Sequence, residues 1–243
     1  MQDAPPTANP TAAPTAGTGP LSLREVPGWY YLLREFDALY RQGSAGGSDL
    51  IRSHRARVRT ALASVFAADP PVLERAPVQL PVTAHLGRAL DLGERGAMQG
   101  MARALREVRG RLSWEYGYEK MPKALARKYA YCEVLGPKGP VQSAQLILGF
   151  VLFAPSTTYP QHSHSGIEES YISVAGAWSE NEMAVYAPGS LIFNKPGHEH
   201  RITTGDQDPC LLAYAWLGGQ DRLAAPGMRL TAARRARAAR GED

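Results

Sequence analysis

The spacing of apolar residues changes once along this chain, and that change restricts the fold to a combination of helices and strands. Over residues 21–125 the apolar side chains recur every three to four positions, as in amphipathic helices. Beyond Pro122, short aliphatic and aromatic runs such as 129–135 and 145–153 alternate with turn residues, as in β-strands. The sequence therefore predicts an α+β fold, with an N-terminal helical region at 21–125 packed on a C-terminal β domain at 126–222.

Three apolar stripes define the predicted helices. Each repeats at the i, i+3, i+4 spacing that places side chains on one helix face. Ser48 or Asp49 is positioned to cap the second helix, because either side chain can accept hydrogen bonds from free backbone N–H groups. A single small barrel would not cover all three stripes, so we expect a homodimer. The stripes run from Trp29 to Tyr40, from Ile51 to Phe66 and from Met98 to Leu112.

The two ends of the chain differ in composition from the rest. Residues 1–20 are rich in Ala, Pro, Thr and Gly and are predicted to form a disordered leader, without the basic start and apolar core of a secretory signal. The segment 223–243 is a basic tail, in which five arginines against Glu242 and Asp243 account for most of the net charge of +4. Such a tail is more often a solvated helix end than a nucleic-acid arm, so we expect no nucleic-acid partner.

Composition excludes further classes of protein. No stretch approaches the roughly 18 uninterrupted apolar residues of a membrane helix, so we expect no membrane partner. The chain has two cysteines, Cys132 and Cys210, which cannot build a disulfide framework or a zinc–thiolate cluster. We expect both thiols to be buried in a protein of the reducing cytoplasm.

Four of the six histidines lie in two His-x-His pairs, His162/His164 and His198/His200. Positions i and i+2 of a β-strand face the same side, so the two imidazoles of a pair can converge on one point. Glu169 lies between the pairs and adds a carboxylate. These ligands suit a divalent ion such as Zn, Fe, Mn or Ni, and they do not select among these ions. The sequence therefore predicts a metal site, whereas a lone histidine would more simply flank a turn.

The spacing of these residues resembles the two sequence motifs of the cupin family. The first motif is His162-x-His164-x4-Glu169-x6-Gly176, and the second is Gly189…Pro196-Gly197-x2-His200. Ser156, Lys195 and Thr204 stand where the motifs have glycine, proline and asparagine, and these differences affect turns more than ligands. The resemblance implies a cupin barrel (a double-stranded β-helix or jelly roll) that binds one divalent metal ion per chain. The ligands that it implies are His162, His164, Glu169 and His200. Among them, His162 could instead orient a substrate.

A more specific resemblance is to the cupin dimethylsulfoniopropionate lyases, and among them to the DddL branch. It covers residues 21–222 and leaves both ends of the chain unmatched. The matching segments include Leu32-Leu33-Arg34-Glu35, 46–54, Tyr159-Pro-Gln-His162-x-His164, Glu169-Ser-Tyr171, Pro196-Gly197-x-Glu199-His200 and Ala213-Tyr214-Ala215-Trp216. The resemblance implies a carbon–sulfur lyase that uses a bound metal ion and a tyrosine, here Tyr171, to cleave dimethylsulfoniopropionate into dimethyl sulfide and acrylate.

The implied substrate carries a carboxylate, a weakly acidic α-proton and a β-sulfonium leaving group. Its elimination needs a base at the α-carbon and stabilisation of the charge that develops on the carboxylate. Tyr171 follows Glu169 by two positions and so leaves the same strand face, while Tyr159 or a metal-bound hydroxide is the alternative base. A sulfonium cation is attracted by aromatic faces. The candidate aromatic residues, each of which would also suit the core, are Tyr159, Trp178, Tyr214 and Trp216.

Two other functions are compatible with the same residues. The ligand set alone equally suits another metal-dependent cupin enzyme, such as a dioxygenase or an isomerase. A non-enzymatic cupin sensor would use the basic run at 52–59 to contact DNA, although such runs are more often solvated helix faces. His54 and His85 are interpreted as structural, and Ser163 lacks the Gly-x-Ser-x-Gly surroundings of a hydrolase nucleophile.

Overall fold

The computed structural model describes residues 19–42, 47–118 and 121–226, together with the backbone of 229–230. The leader predicted at 1–20 lies outside the described residues, apart from its last two positions. The basic tail predicted at 223–243 also lies outside them, apart from 223–226 and the backbone of 229–230.

The helical part of the chain follows the predicted stripes and adds a helix that they did not include. The stripe from Trp29 to Tyr40 is buried on one face of the first helix, as predicted. The second helix begins after Ser48, whose hydroxyl accepts a 3.4 Å hydrogen bond from the Ile51 N–H. Sequence reasoning missed α3, which contains two glycines that weaken its local helix signal. The described α-helices are α1 (Pro27–Gln42), α2 (Asp49–Ala68), α3 (Leu86–Glu94), α4 (Gln99–Val108), α5 (Lys123–Ala126) and α6 (Gln220–Ala224). None of these described helices is long and apolar enough to cross a membrane.

The β part of the chain forms two antiparallel sheets, whose strand orders are β1-β2-β3-β9-β5-β7 and β10-β4-β8-β6. The described strands are β1 (Trp114–Glu115), β2 (Tyr129–Leu135), β3 (Leu146–Phe153), β4 (Thr158–Ser163), β5 (Ile167–Ala175), β6 (Trp178–Glu180), β7 (Leu191–Asn194), β8 (His200–Thr204), β9 (Cys210–Gly218) and β10 (Arg229–Leu230). The two predicted strand runs correspond to β2 and β3. The short β1 lies within the predicted helical region and pairs with β2.

The six-stranded sheet is buried on both faces, which produces three layers. On one face, Cys132 and Phe150 pack with the helices in a single apolar core. On the opposite face, Cys210 and Tyr214 belong to a second core that also contains residues of the four-stranded sheet. Both cysteines are buried free thiols, as predicted. The α+β architecture is therefore confirmed, with the N-terminal helices packed on a C-terminal jelly-roll barrel.

Two residues that differ from the cupin motifs, Ser156 and Thr204, lie close to the start of β4. Ser156 has a φ of +51°, in the left-handed region that glycine adopts most readily. Next to it, the Thr157 N–H donates a 3.0 Å hydrogen bond to the Thr204 hydroxyl. Serine and threonine thus stand where the motifs have glycine and asparagine, next to the start of the strand that carries His162.

Candidate metal centre and active site

Three neighbouring strands bring the predicted metal ligands together inside the barrel. His162 on β4 lies opposite His200 on β8 in the antiparallel register. His164 follows the end of β4, and Glu169 is on β5 in the other sheet. All four residues are buried, and one ligating atom from each lies within 4.8 Å of the others. The four residues that the cupin resemblance selects therefore form one cluster.

Hydrogen bonds orient two of the imidazoles toward the centre of this cluster. The Nδ1 of His162 lies 2.9 Å from the Pro160 carbonyl oxygen, and the Nδ1 of His200 lies 3.1 Å from that of His198. A carbonyl oxygen can only accept, so each Nδ1 carries a proton, which leaves Nε2 of each ring as the nitrogen available to a metal ion when the ring is neutral. This is the arrangement by which outer hydrogen bonds fix metal-binding histidines. His198 itself is exposed; its backbone carbonyl orients His200, and its ring lies parallel to the His200 ring with 6.5 Å between centroids.

Several nitrogens of the cluster have no hydrogen-bond partner among the described residues. They are both ring nitrogens of His164 and the Nε2 of His200. The His200 Nε2 lies 2.9 Å from the Glu169 Oε2 without the geometry of a hydrogen bond. Buried polar atoms are rarely left unpaired, because desolvation without a partner is costly. Imidazole nitrogens and one carboxylate that converge in this way fit a divalent transition-metal ion, and the donor set alone does not select which one.

Glu169 is held by groups on two neighbouring strands. The Trp216 indole Nε1 donates to Oε1 at 2.7 Å, and the Asn194 amide donates to Oε2 at 3.4 Å. Asn194 also donates to the buried Glu180 at 2.8 Å. Burial alone would raise the pKa of Glu169, but the nearby imidazoles, above all His164, outweigh it and hold the pKa well below its usual range. The carboxylate is therefore ionised and oriented for a cation.

The protonation of the imidazoles follows from burial and from this carboxylate. Burial lowers the pKa of His162 to about 3 and also lowers that of His164. Burial opposes protonation of His200 too, but the charge of Glu169 outweighs it and raises the pKa of His200. At neutral pH the site thus offers neutral His162 and His164 rings beside a carboxylate, as metal binding requires, whereas an ion would compete with the proton that Glu169 favours on His200.

A small cavity of about 20 Å³ lies beside the cluster. Its wall contains His162, His164, Glu169 and six aromatic residues, which are Tyr129, Tyr131, Tyr159, Tyr171, Tyr214 and Trp216. Three of the four aromatic residues predicted to contact a sulfonium group are therefore on this wall. Trp178 is not among the lining residues and packs instead against Tyr171 and Tyr186.

Tyr171, the predicted base, lies on the cavity wall and is 4% exposed. Its ring centroid is 6.2 Å from that of His200. Burial and the negative charge of Glu169 raise the pKa of Tyr171 well above 10. In the absence of a cation the phenol is therefore protonated, and its use as a base depends on positive charge in the adjacent cluster.

Tyrosines that sequence reasoning missed surround Tyr159. The Tyr159 hydroxyl lies 2.8 Å from that of Tyr118 and 3.2 Å from that of Tyr129. The Tyr159 ring is also in edge contact with His162, with 4.6 Å between centroids. Tyr129 and Tyr131 are at positions i and i+2 of β2, a spacing that could have indicated a shared inward face. No comparable signal marks Tyr118, because it comes from the segment that precedes the barrel.

The basic run of α2 is occupied by contacts within the protein. Arg52 pairs with Asp49, Arg57 with Glu168 and Arg59 with Asp37, and Arg55 donates to the Tyr40 carbonyl oxygen. These contacts join α2 to α1 and to β5 and account for the run as part of the packing between helices and sheet.

A jelly-roll barrel with three histidines and a glutamate converging in its interior defines a cupin with a candidate metal centre. Comparison with known proteins is more specific. The family model of the dimethylsulfoniopropionate lyases matches residues 54–212. The chain belongs to this family, and it is therefore a carbon–sulfur lyase, as the resemblance implied.

Individual relatives place the chain within the family. It is 71% identical over 221 residues to a Cereibacter sphaeroides protein provisionally named dimethylsulfoniopropionate lyase DddL, with 91% of this chain and 95% of the relative covered. The crystal structure of the lyase DddQ from Ruegeria pomeroyi DSS-3 superposes with a TM-score of 0.61 at 24% identity. That superposition covers 83% of this chain and 98% of DddQ and supports the fold. The predicted relation to the DddL branch is confirmed.

Proposed function

We propose that the protein cleaves dimethylsulfoniopropionate by β-elimination at a single bound divalent metal ion, with Tyr171 as the base. One observation carries the proposal. The ligating atoms of His162, His164, Glu169 and His200 lie within 4.8 Å of one another, and Tyr171 lies on the wall of the adjoining cavity. Family membership favours this reaction over a dioxygenase, an isomerase or a non-enzymatic sensor.

The proposed reaction has one proton transfer and one bond cleavage. The Tyr171 oxygen takes the proton from the α-carbon of the substrate, and the electron pair of that C–H bond forms the double bond between the α- and β-carbons. As this double bond forms, the bond between the β-carbon and sulfur breaks, and its electron pair leaves on sulfur. The products are dimethyl sulfide and acrylate, and the proton remains on Tyr171 until it passes to solvent.

The four ligands would hold the ion on one side of this cavity. When bound, the ion supplies positive charge that stabilises both the charge developing on the substrate carboxylate and the phenolate form of Tyr171. The chain's own contribution is orientation. The carbonyl groups of Pro160 and His198 fix the rings of His162 and His200, and Trp216 fixes Glu169.

The aromatic wall suits the other end of the substrate. A sulfonium group is a cation without hydrogen-bond donors, so aromatic faces attract it without requiring a buried counter-ion. Tyr159, Tyr214 and Trp216 offer such faces around the cavity. Trp178 supports Tyr171 from behind, with 5.9 Å between their ring centroids. The same surfaces leave little room for water, which protects the developing carbanionic charge from protonation.

Headspace analysis of dimethyl sulfide tests this function directly. Purified protein is stripped with a chelator, divided, and given Zn²⁺, Fe²⁺, Mn²⁺ or Ni²⁺ before dimethylsulfoniopropionate is added. We expect equal amounts of dimethyl sulfide and acrylate with at least one ion, and none with the stripped protein. Full activity of the stripped protein would contradict metal dependence, and failure with every ion would contradict the proposed reaction.

A further inference from the structure

A buried polar network lies behind the metal ligand Glu169, on the face of β5 that meets the helices. His54 of α2 is fully buried, with its Nε2 2.8 Å from the Ser170 hydroxyl and its Nδ1 3.0 Å from the Glu168 Oε2. The Tyr40 hydroxyl of α1 lies 2.7 Å from the same Ser170 hydroxyl. Four polar side chains from three elements therefore meet within the apolar core between helices and sheet.

The donors and acceptors of this network can be assigned. Burial lowers the pKa of His54, so that its ring is neutral at pH 7. The ionised Glu168 can only accept, which places the His54 proton on Nδ1 and leaves Nε2 to accept from Ser170. The Ser170 oxygen then accepts from Tyr40. Arg57 makes a second contact with Glu168. Every group in the chain of contacts is satisfied, and each contact has a defined direction.

The order serine, histidine, carboxylate is that of a hydrolase triad, but the surroundings exclude that chemistry. Ser170 is fully buried, and its hydroxyl already accepts a hydrogen bond from Tyr40. The described cavity lies on the opposite face of β5, where Glu169 and Tyr171 point. A nucleophile needs access to substrate and nearby donors for an oxyanion. The network must therefore act through the strand rather than on a substrate of its own.

Alternation along β5 connects the network to the metal site. Glu168 and Ser170 face the helices, whereas Glu169 between them faces the barrel interior. Both chain neighbours of this ligand are consequently tied to α1 and α2 by directional hydrogen bonds. Apolar contacts alone would tolerate small shifts of the strand, whereas these hydrogen bonds weaken as their distances and angles depart from the preferred values.

We propose that His54 is a positioning residue, which holds the metal ligand Glu169 in place through Ser170 and Glu168. The helical region is then part of the metal site and not merely a cover for the barrel. This inference rests on the proposed metal site. It explains why the interface between helices and sheet contains a polar chain at the two residues that flank Glu169.

Two variants of the full chain test the inference, each with a matched control. His54→Ala removes the centre of the network, and Leu62→Ala removes a fully buried side chain from the same helix without touching the network. Ser170→Ala removes a single oxygen atom, which keeps the test usable where His54→Ala fails to fold. Its control is Ser173→Ala, on the same strand, whose hydroxyl is buried and makes a longer contact of 3.4 Å with the Gly176 carbonyl.

The measurements are metal affinity and the electronic spectrum of bound Co²⁺, neither of which depends on turnover. We expect His54→Ala and Ser170→Ala to bind Zn²⁺ about 10- to 100-fold more weakly than wild type, the range for residues that orient metal ligands. Their Co²⁺ spectra should shift, because the geometry around the ion changes. Both control variants should retain the wild-type affinity and spectrum at equal occupancy.

Three results would overturn the inference. The first is a wild-type affinity and spectrum in both network variants. The second is an equal loss of affinity in Leu62→Ala, since general loosening of the helices would then explain the effect. The third is a wild-type protein that binds no ion, which would contradict the proposed metal site and this inference with it. The first two results would leave the proposed lyase reaction intact. Failure of this inference can therefore be told apart from failure of the proposed function.

Discussion

The indole nitrogen of Trp216 donates a 2.7 Å hydrogen bond to Oε1 of Glu169, across the β5–β9 pairing in which these two residues face each other. The same indole ring lies 4.5 Å from the His164 ring, between centroids. Trp216 was predicted as an aromatic contact for a sulfonium group. It also orients one proposed metal ligand and packs against another, so the two proposed roles can be separated by substitution.

Trp216→Phe should lower the metal affinity while keeping most of the aromatic packing around His164. Phenylalanine keeps an aromatic ring near His164 but leaves Oε1 of Glu169 without its donor. We expect a loss of metal affinity of about tenfold or more. The expected loss in free energy of unfolding is about 1–3 kcal/mol, for a buried acceptor left unpaired. Calorimetric metal titration and denaturant unfolding measure the two effects.

Trp178→Phe is the matched control for this substitution. Trp178 is also buried, and its indole nitrogen has no hydrogen-bond partner in the described part of the chain. Metal affinity should remain at the wild-type value. An equal loss of affinity in both variants would show that the indole N–H of Trp216 does not orient Glu169.

Removal of any one metal ligand should abolish both metal content and activity. His164→Ala, Glu169→Ala and His200→Ala each take away one of four converging donors, and mass spectrometry of the purified protein measures the metal that remains. We expect the same of His162→Ala, unless this ring orients the substrate instead. His198→Ala is the control, since that ring is exposed. A fully loaded Glu169→Ala protein would contradict the assigned ligand set.

Tyr171→Phe should separate catalysis from binding. The variant loses the hydroxyl but keeps the ring that packs on Trp178. If this hydroxyl takes the α-proton, kcat should fall by about 10²-fold or more. KM and metal content should change little, because the aromatic wall and the metal ligands remain. Near-normal turnover would point to Tyr159, whose hydroxyl is held by two other tyrosines.

The Glu133 carboxyl should make the free energy of unfolding depend on pH in a way that does not involve the metal. Burial raises the pKa of this carboxyl from 4.5 to about 7, partly offset by a hydrogen bond from the Lys138 N–H. Between these two values the folded state binds more protons than the unfolded state, so ionisation opposes folding as the pH rises. Glu133→Gln cannot ionise. It should leave stability near pH 4 unchanged and raise it near pH 8 by at most about 3 kcal/mol.

Urea unfolding of both proteins at the two pH values measures this difference. The glutamine can still accept the hydrogen bond from Lys138, so the comparison isolates the charge. An equal change at both pH values would mean that side-chain packing, and not ionisation, separates the two proteins.

We also expect the protein to form a homodimer. Tyr31 on α1 and Leu50 on α2 are about half exposed or more, at 63% and 49%, although both are large and apolar. Burial of such side chains against a second copy would be favourable. Sedimentation at micromolar concentration measures the state directly, and a monomer alone would contradict the expectation.

The sequence by itself determined the features that depend on local periodicity. His162 and His164 share one strand face because side chains alternate along a strand wherever that strand lies. The stripe from Trp29 to Tyr40 likewise identifies the buried face of a helix without reference to its partner. The division into helices and sheets follows from such local rules, and the choice of His162, His164, Glu169 and His200 follows from them together with the cupin spacing.

Only the tertiary structure decided which elements meet. Strand alternation could not show that β5 is covered on both faces, so the contacts of His54 with residues more than a hundred positions away were not recognisable. Nor could it show that Tyr118 reaches Tyr159, or that Trp178 is not among the residues that line the cavity. These contacts depend on the pairing of strands and the stacking of layers. Periodicity defines the face that a side chain occupies, but the partner on that face is set by the packing of distant segments.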